Sequence, residues 1–299
     1  MKEKQAYLIV AHKDDLVFQT LLEMLDDPRN DIFIHMDAKN KDYQQEKTEG
    51  RAKFGRVYHC DRTSVTWGAY SMIHCELSLL EQAVQTGNYQ HYHLLSGSDL
   101  PIKSQDDIVS FFEQHADKEF VRFERESFGY DFRVRYYHLF QEKTGRSHNV
   151  LVRGVNRGFI LAQQMAGIKR NRRIDFQKGT QWFSITDELA RYLVSKKDWV
   201  YRVFKDTFCC DEVFVQTIVY NSSFKDRLYH EEFDNDPEAV KRLIDWTRGK
   251  PYTFRSCDWD ELKKSGMLFA RKFDEKVDKE IIMQIKEAYS STGKQKNMG

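Results

Sequence analysis

"AYLIVAHKDDLVFQTLLEMLDDPRNDIFIHMDAK" (residues 6–39) holds two apolar runs separated by one amphipathic stretch. "AYLIVAH" (6–12) is almost continuously apolar and then turns polar, the pattern of a strand buried on both faces. "LVFQTLLEMLDD" follows with its apolar residues at helical spacing. "DIFIHMDAK" (31–39) supplies a second short strand ending on His35 and Asp37. Strand, helix and strand within about 35 residues form a βαβ unit, and that unit implies a parallel sheet.

Working outward, "GRVYHC" (55–60) reads as a third strand and "SMIHCELSLLEQAVQTG" (71–87) as a long helix stopped at Gly87. "YHLLSGSDLPI" (92–102) is a strand running into a turn, and the helix "SQDDIVSFFEQHA" follows it. The first 115 residues thus alternate strand and helix, as open α/β sheets do. Such sheets bind ligands at the carboxyl ends of their strands. His12, His35, Asp37, Ser96 and Asp99 all fall at such ends.

The section 119–205 is less regular. "EFVRFERE" (119–126) and "QWFSIT" (181–186) read as strands, "DELARYLVSK" as a helix, and "FRVRYYHLF" (132–140) as a basic, aromatic stretch. Residues 247–266 read as mostly irregular, a charged helix starts at Asp278, and the polar tail 291–299 is expected to be disordered. No repeat or Pro/Gly-rich linker divides the chain, so one domain over residues 1–290 is expected.

A chain of 299 residues buries a sizeable core. Its net charge of +1 argues against nucleic acid as the main partner. Aromatic residues at 14% suit a ligand, such as a sugar, that packs against rings. Five cysteines (60, 75, 209, 210, 257) without metal spacing imply reduced thiols and a cytoplasmic protein. No apolar stretch approaches the roughly 20 residues of a membrane span. The basic run "KRNRR" (169–173) reads first as a solvated loop, with acidic lipid as the alternative.

Five short motifs carry chemistry. In "HMDAK", His-x-Asp at a strand end suits either a divalent metal or a ribose, while alone Asp37 is more simply a turn cap. In "SGSDLPIK", Gly97 permits unusual backbone angles, Asp99 supplies a carboxylate and Pro101 stiffens the exit. "TSVTWGAYSM" (63–72) places Trp67, Gly68 and Ser71 before a helix start, whose amides suit an anion. Its plainer reading makes Trp67 core and Ser71 an N-cap. "GMLFARKFDEKVD" (266–278) sets Arg271 beside Lys272, a pair able to neutralise a diphosphate, or else to bridge Asp274 and Glu275 at the surface. In "TFCCDEVFVQTIVY" (207–220), Asp211 suits an N-cap, which would put Glu212 at the first helical position, aimed into a cleft.

In that order, "AYLIVAHK", "IHMDAK", "WGAYS", "HLLSGSDLPIKS", "GTQWFSIT", "DEVFVQTI" and "LFARKFD" resemble the core-2/I-branching glycosyltransferases, which include β-1,6-N-acetylglucosaminyltransferases and peptide O-xylosyltransferases. The resemblance covers roughly residues 5–280. It implies a GT-A-like, Rossmann-type α/β fold with a mostly parallel sheet flanked by helices. It further implies a UDP-sugar donor, inversion at the anomeric carbon and no divalent metal. Residues 1–115 become the nucleotide-binding half and 116–290 the acceptor- and phosphate-binding half.

Residue by residue, Glu212 matches the family's catalytic base, and Lys272 with Arg271 matches the site that holds the diphosphate. Asp37 matches the His-x-Asp position at the nucleotide, where Val10, His12, Trp67, Ser71 and Asp99 are also expected. Glu124, Glu126 and Trp246 fall near acceptor-lining positions, and Trp182 is placed with them. A second phosphate-binding arginine is either Arg248 or Arg255, with Arg255 preferred. Cys210 departs from the family's usual Pro. The missing signal anchor fits a cytoplasmic, bacterial version, peripheral at the inner membrane face and acting on a lipid-linked glycan. UDP-GlcNAc is the first choice of donor, ahead of the xylose, glucuronate and galactose nucleotides. A metal-dependent enzyme using His35, Asp37 or Asp99, and an inactive UDP-sugar-binding homologue, are the competing readings.

Overall fold

The computed structural model describes residues 4–146 and 149–290. The disorder expected of 291–299 therefore falls outside the described residues. The strands are β1 (Lys4–Ala11), β2 (Asn30–Met36), β3 (Arg56–His59), β4 (Tyr89–Ser96), β5 (Asp99–Pro101), β6 (Phe120–Phe123), β7 (Gly179–Thr186), β8 (Arg242–Ile244) and β9 (Phe269–Arg271). Six of them form the central sheet in the order β3-β2-β1-β4-β7-β6. β3, β2, β1 and β4 run parallel, whereas β7 is antiparallel to both β4 and β6. The expected class, a mostly parallel sheet flanked by helices in one domain, is the one observed.

The apolar runs explain the centre of the sheet. Every residue of β2 is buried, and β1 is buried along nearly its whole length. One face is covered by helices Tyr70–Thr86 and Asp187–Ser195, the other by helices Leu16–Leu25 and Lys279–Tyr289. Each fully buried Leu or Phe in these layers contributes about 1.5–3 kcal/mol relative to exposure. The helix starts are capped by Asp15, Ser104 and Asp278, whose side chains accept from the amides of Phe18, Asp107 and Ile281. Helix Tyr70–Thr86 instead starts after Ala69, so Ser71 is not its N-cap.

A second, three-stranded sheet, β5-β9-β8, ties the two halves of the chain together, because β5 comes from the first and β8 and β9 from the second. The buried Arg242 of β8 anchors it by donating to the carbonyls of Leu94, Phe183 and Val240 and to Ser184 Oγ.

Two expectations change. Gly97 does not have a positive φ. A Cβ there would lie 3.1 Å from that of Ala11, so the close approach of the turn after β4 to the end of β1 favours glycine. The irregular middle section contains a 16-residue helix, Val150–Met165, and 247–266 contains a short one, Trp259–Lys264.

Candidate active site

β2 and β4 flank β1, so the chain reverses its direction of travel across the sheet beside β1, and the crevice of such a fold opens at that point. Val10 lies opposite both His35 and Ser96, which aligns the three carboxyl ends. β7 runs the other way, with His93 opposite Ser184, so its entry at Gly179 reaches the same edge. Phe123 pairs with Gly179, which brings Glu124 and Lys178 there as well.

Glu212 arrives on a tight turn. Phe208 N donates to Arg133 O (3.1 Å) and Cys209 N to Gly68 O (2.9 Å), pinning the approach. Cys209 is left-handed with φ 48°, and Cys210–Glu212 forms a single 3-10 turn closed by Val213 N on Cys210 O (3.0 Å). Gly68 has φ +71°, and a Cβ there would meet Cys209 Sγ at 2.8 Å, so only glycine lets the two loops close. Helix Phe214–Tyr220 begins after Val213. Asp211 is therefore not its cap and Glu212 is not its first residue, because the 3-10 turn interposes.

Asp211 is buried instead, and its Oδ1 has no hydrogen-bond partner. Burial, then the neighbouring Glu212 charge, pushes its pKa from 3.8 up to about 7. Between those values the folded protein keeps a proton that the unfolded chain has lost. Stability therefore falls as pH rises toward 7, by on the order of 4 kcal/mol in all. Asp211→Asn is expected to raise the melting temperature at about pH 8 and to lose that advantage toward about pH 4. An advantage independent of pH would contradict this assignment.

The Glu212 side chain is 35% exposed. Its Oε2 accepts from Arg133 Nη1 at 2.9 Å, with Lys178 Nζ at 3.5 Å. No hydrogen bond reaches Oε1 among the described residues. Lys178 bridges to Glu124 Oε2 (2.5 Å), while Glu124 Oε1 accepts from Arg125 (2.8 Å) and from the Tyr130 hydroxyl. Burial raises the Glu124 pKa, but the hydrogen bonds from Lys178, Tyr130 and Arg125 outweigh it and hold the group at about 2. Of the two acids that share Lys178, Glu212 is thus the one with an oxygen available to a substrate. The Tyr130 ring lies 5.0 Å from both Arg133 Cζ and Lys178 Nζ, fixing them in place.

Beyond Lys178, β7 carries Trp182, buried beneath the guanidinium of Arg271 at 4.7 Å. Trp182, expected at the acceptor, serves as the platform for this cation. Arg271 donates to Asp99 (2.7 Å) and to Ser96 Oγ, and does not bridge Asp274 or Glu275. Asp99 is 2% exposed and also accepts from Ser96 N and Oγ at 2.8 Å each. Its carboxylate orients Arg271 at the edge where the nucleotide is expected. Lys272, next in the chain, forms no ion pair among the described residues.

Phe254 N donates to Lys272 O (3.0 Å), which sets Arg255 beside this pair. The Arg255 side chain is exposed and unpaired among the described residues. Arg248 is engaged by Asp245, Asp258 (2.9 Å) and Glu261 (2.8 Å) and stacks 4.3 Å over Tyr252. Three carboxylates therefore neutralise Arg248 and leave Arg255 as the available cation.

On the other side of β1, Asp37 Oδ1 accepts from Lys39 N (2.9 Å) and Val65 N (3.5 Å). With His12, Lys39 and Asn40 it lines a groove of about 650 Å³. His35 is fully buried, and its Nε2 accepts from Thr63 N at 3.1 Å. Val10 lies one residue before the end of β1, its carbonyl accepting from Gly97 N (3.0 Å). Ser71 Oγ accepts from Thr66 N (2.8 Å). Trp67 is not core. It is exposed, carries Arg146 over its ring at 5.2 Å, and borders a cavity of about 970 Å³ with Phe132 and Phe208.

Of the expected acceptor residues, Glu124 meets Glu212 through Lys178. Glu126 lines a separate groove with Phe233. Trp246 is 56% exposed on the turn after β8. Arg133, Lys178 and Tyr130 are the site residues the sequence reading did not single out. The one signal was the basic, aromatic composition of 132–140, which contains Arg133 and lies beside Tyr130, and nothing pointed to Lys178.

The family model described as "Core-2/I-Branching enzyme" matches residues 5–265. Xylosyltransferase oxt of Drosophila melanogaster is 23% identical over 287 residues, covering 89% of this chain and 31% of its own. Beta-1,3-galactosyl-O-glycosyl-glycoprotein beta-1,6-N-acetylglucosaminyltransferase 3 of Rattus norvegicus is 25% identical over 315 residues, covering 94% of this chain and 67% of its own. The chain thus spans about a third of the length of the xylosyltransferases it matches. The solved structure of S. aureus TarS aligns with a TM-score of 0.28 at 10% identity, over 48% of this chain and 26% of that one. With the matched model spanning both the Glu212 turn and the crevice beside β1, the chain belongs to the core-2/I-branching enzyme family of glycosyltransferases.

Proposed function

We propose that this protein moves a sugar, GlcNAc in the first instance, from its UDP derivative to a hydroxyl of a lipid-carried glycan, with inversion and without a divalent metal. The observation that carries the reading is Glu212, half-exposed at the sheet edge and held through Oε2 by Arg133 and Lys178, with Oε1 unoccupied by any hydrogen bond. Glu212 takes the proton of the acceptor hydroxyl while that oxygen bonds to C1 of the sugar. The C1–oxygen bond to the diphosphate breaks on the opposite face, and UDP departs with the electron pair. Negative charge then grows on the diphosphate, where Arg271, Lys272 and Arg255 supply preplaced positive charge. The groove beside Asp37 receives the uridine.

Two of the three residues that a metal-dependent enzyme would draw on are engaged elsewhere, while Asp37 lines the groove. His35 Nε2 accepts a backbone amide, and Asp99 is paired with Arg271. Among the described residues, one group of His and acid atoms is close enough to share a cation. It is His230, Asp234 and Asp236, and His230 already bonds Asp234 at 2.9 Å. UDP release from UDP-GlcNAc with glycan acceptors is therefore expected to run at the full rate in EDTA. Abolition by EDTA with recovery on added Mn2+ would overturn the metal-free reading. UDP binding without release across many acceptors would identify a binding protein instead.

A further inference from the structure

"KTGRSHNVLVRGVNRGFILAQQMAGIKRNRR" (143–173) contains eight Lys or Arg and no Asp or Glu, in a chain whose net charge is only +1. Its centre is the helix Val150–Met165, capped by Asn149 Oδ1 accepting from Leu151 N (2.9 Å). One side of this helix rests on the body through Gln163, which exchanges hydrogen bonds with both the N–H and the carbonyl of Tyr137 (2.8 and 3.0 Å). The other side presents Leu151, Val155, Ala162 and Met165, which share one face at helical spacing. Leu151 is 79% exposed and Met165 90%.

Folding gains nothing from apolar side chains left in water, so this stripe needs a partner outside the domain. We propose that the helix Val150–Met165 docks in the plane of an anionic bilayer surface, its apolar stripe at the acyl boundary and its flanking cations on lipid phosphates. Charge selects this occupant over a second copy of the chain. Two copies meeting through this face would oppose eight cations to eight, with no acid in the segment to separate them. Among the described residues, Lys169 is the one cation of the segment paired with an acid (Asp131, 2.9 Å), and Arg170 and Arg172 donate to backbone carbonyls, so no acid neutralises the other described cations of the segment. No helix of the described residues is long and apolar enough to cross a membrane, so the contact is a surface one.

The placement has a consequence for the site. The cavity between this helix and Trp67 is bordered by Phe132 and Phe208. Their chain neighbours Arg133 and Cys209 hold and precede Glu212, Arg133 donating to both. A docked helix therefore turns the Glu212 edge toward the bilayer. The docking itself does not rest on the transferase reading and is measured without donor or acceptor.

The test is co-sedimentation of the purified full chain with vesicles of phosphatidylcholine alone, or with about one third phosphatidylglycerol added. Capture by the anionic vesicles is expected to be at least about tenfold stronger, and to weaken as salt is raised. Leu151→Glu with Val155→Glu, both on the exposed face, is expected to lower that capture about tenfold at an unchanged melting temperature. Equal capture by both vesicle types, or capture unaffected by the double substitution, would overturn the proposal. So would a dimer that fails to bind vesicles and that the double substitution converts to monomer, since the second copy would then be the occupant.

Discussion

Glu212→Gln is expected to lower turnover about 10²- to 10⁴-fold, the range that a positioned general base contributes, while UDP still binds. The amide keeps the size and shape of the side chain but cannot take a proton from the acceptor hydroxyl. The neighbours survive the exchange. Lys178 keeps its 2.5 Å contact to Glu124, and Arg133 keeps the Cys209 carbonyl at 3.1 Å and its place over the Tyr130 ring. No large loss of fold stability is therefore expected, and the melting shift produced by UDP serves as the control. UDP release at the wild-type rate by the variant, with a competent acceptor, would remove Glu212 from the mechanism.

Glu124→Gln provides the contrast within the same cluster. Its carboxylate is held near pKa 2 by three donors and offers no vacant oxygen, so any effect on rate arises indirectly through Lys178.

The parts of the architecture set by apolar period were legible in the sequence. "AYLIVAH", "DIFIHM" and "YHLLS" are strands because burial on both faces leaves an unbroken apolar run, and that run survives translation into β1, β2 and β4. The helix Val150–Met165 escaped because Gly154 and Gly158 lower its helix propensity and Arg153 and Arg157 interrupt its apolar residues. The Asp211–Glu212 turn escaped for a different reason. An acid before an apolar run looks the same whether it caps a helix or lies inside a 3-10 turn, and only the contacts at Gly68 and Arg133, more than 70 residues away in sequence, select the turn. Arg133 and Lys178 were illegible on the same ground. A cation's role is fixed by the acid it meets in space, and Arg133 lies 79 positions from Glu212. Arg248 and Arg255 show the converse. Both occupy suitable sequence, and only the three carboxylates around Arg248 distinguish them.

Arg271 and Lys272 are adjacent in sequence, yet their removal is expected to have different consequences. Lys272 has no ion-pair partner among the described residues, so Lys272→Ala leaves no buried charge behind it. Its expected effect is on the transition state, where losing one preplaced positive group costs about 10²- to 10³-fold in kcat/KM, with the melting temperature nearly unchanged. Arg271→Ala removes a comparable charge but also strips the 2.7 Å partner from Asp99, which is 2% exposed. An uncompensated buried carboxylate is costly, so this variant is expected to lose stability on the order of 3 kcal/mol as well as activity. The Trp182 ring beneath Arg271 would be uncovered at the same time. Thermal melts beside UDP-release kinetics separate the two outcomes. The diphosphate assignment predicts that Lys272→Ala is catalytically crippled yet folded like the parent. Wild-type kcat/KM in that variant would mean that the leaving group is stabilised elsewhere on the edge, and Arg271 would then stand as a structural partner of Asp99.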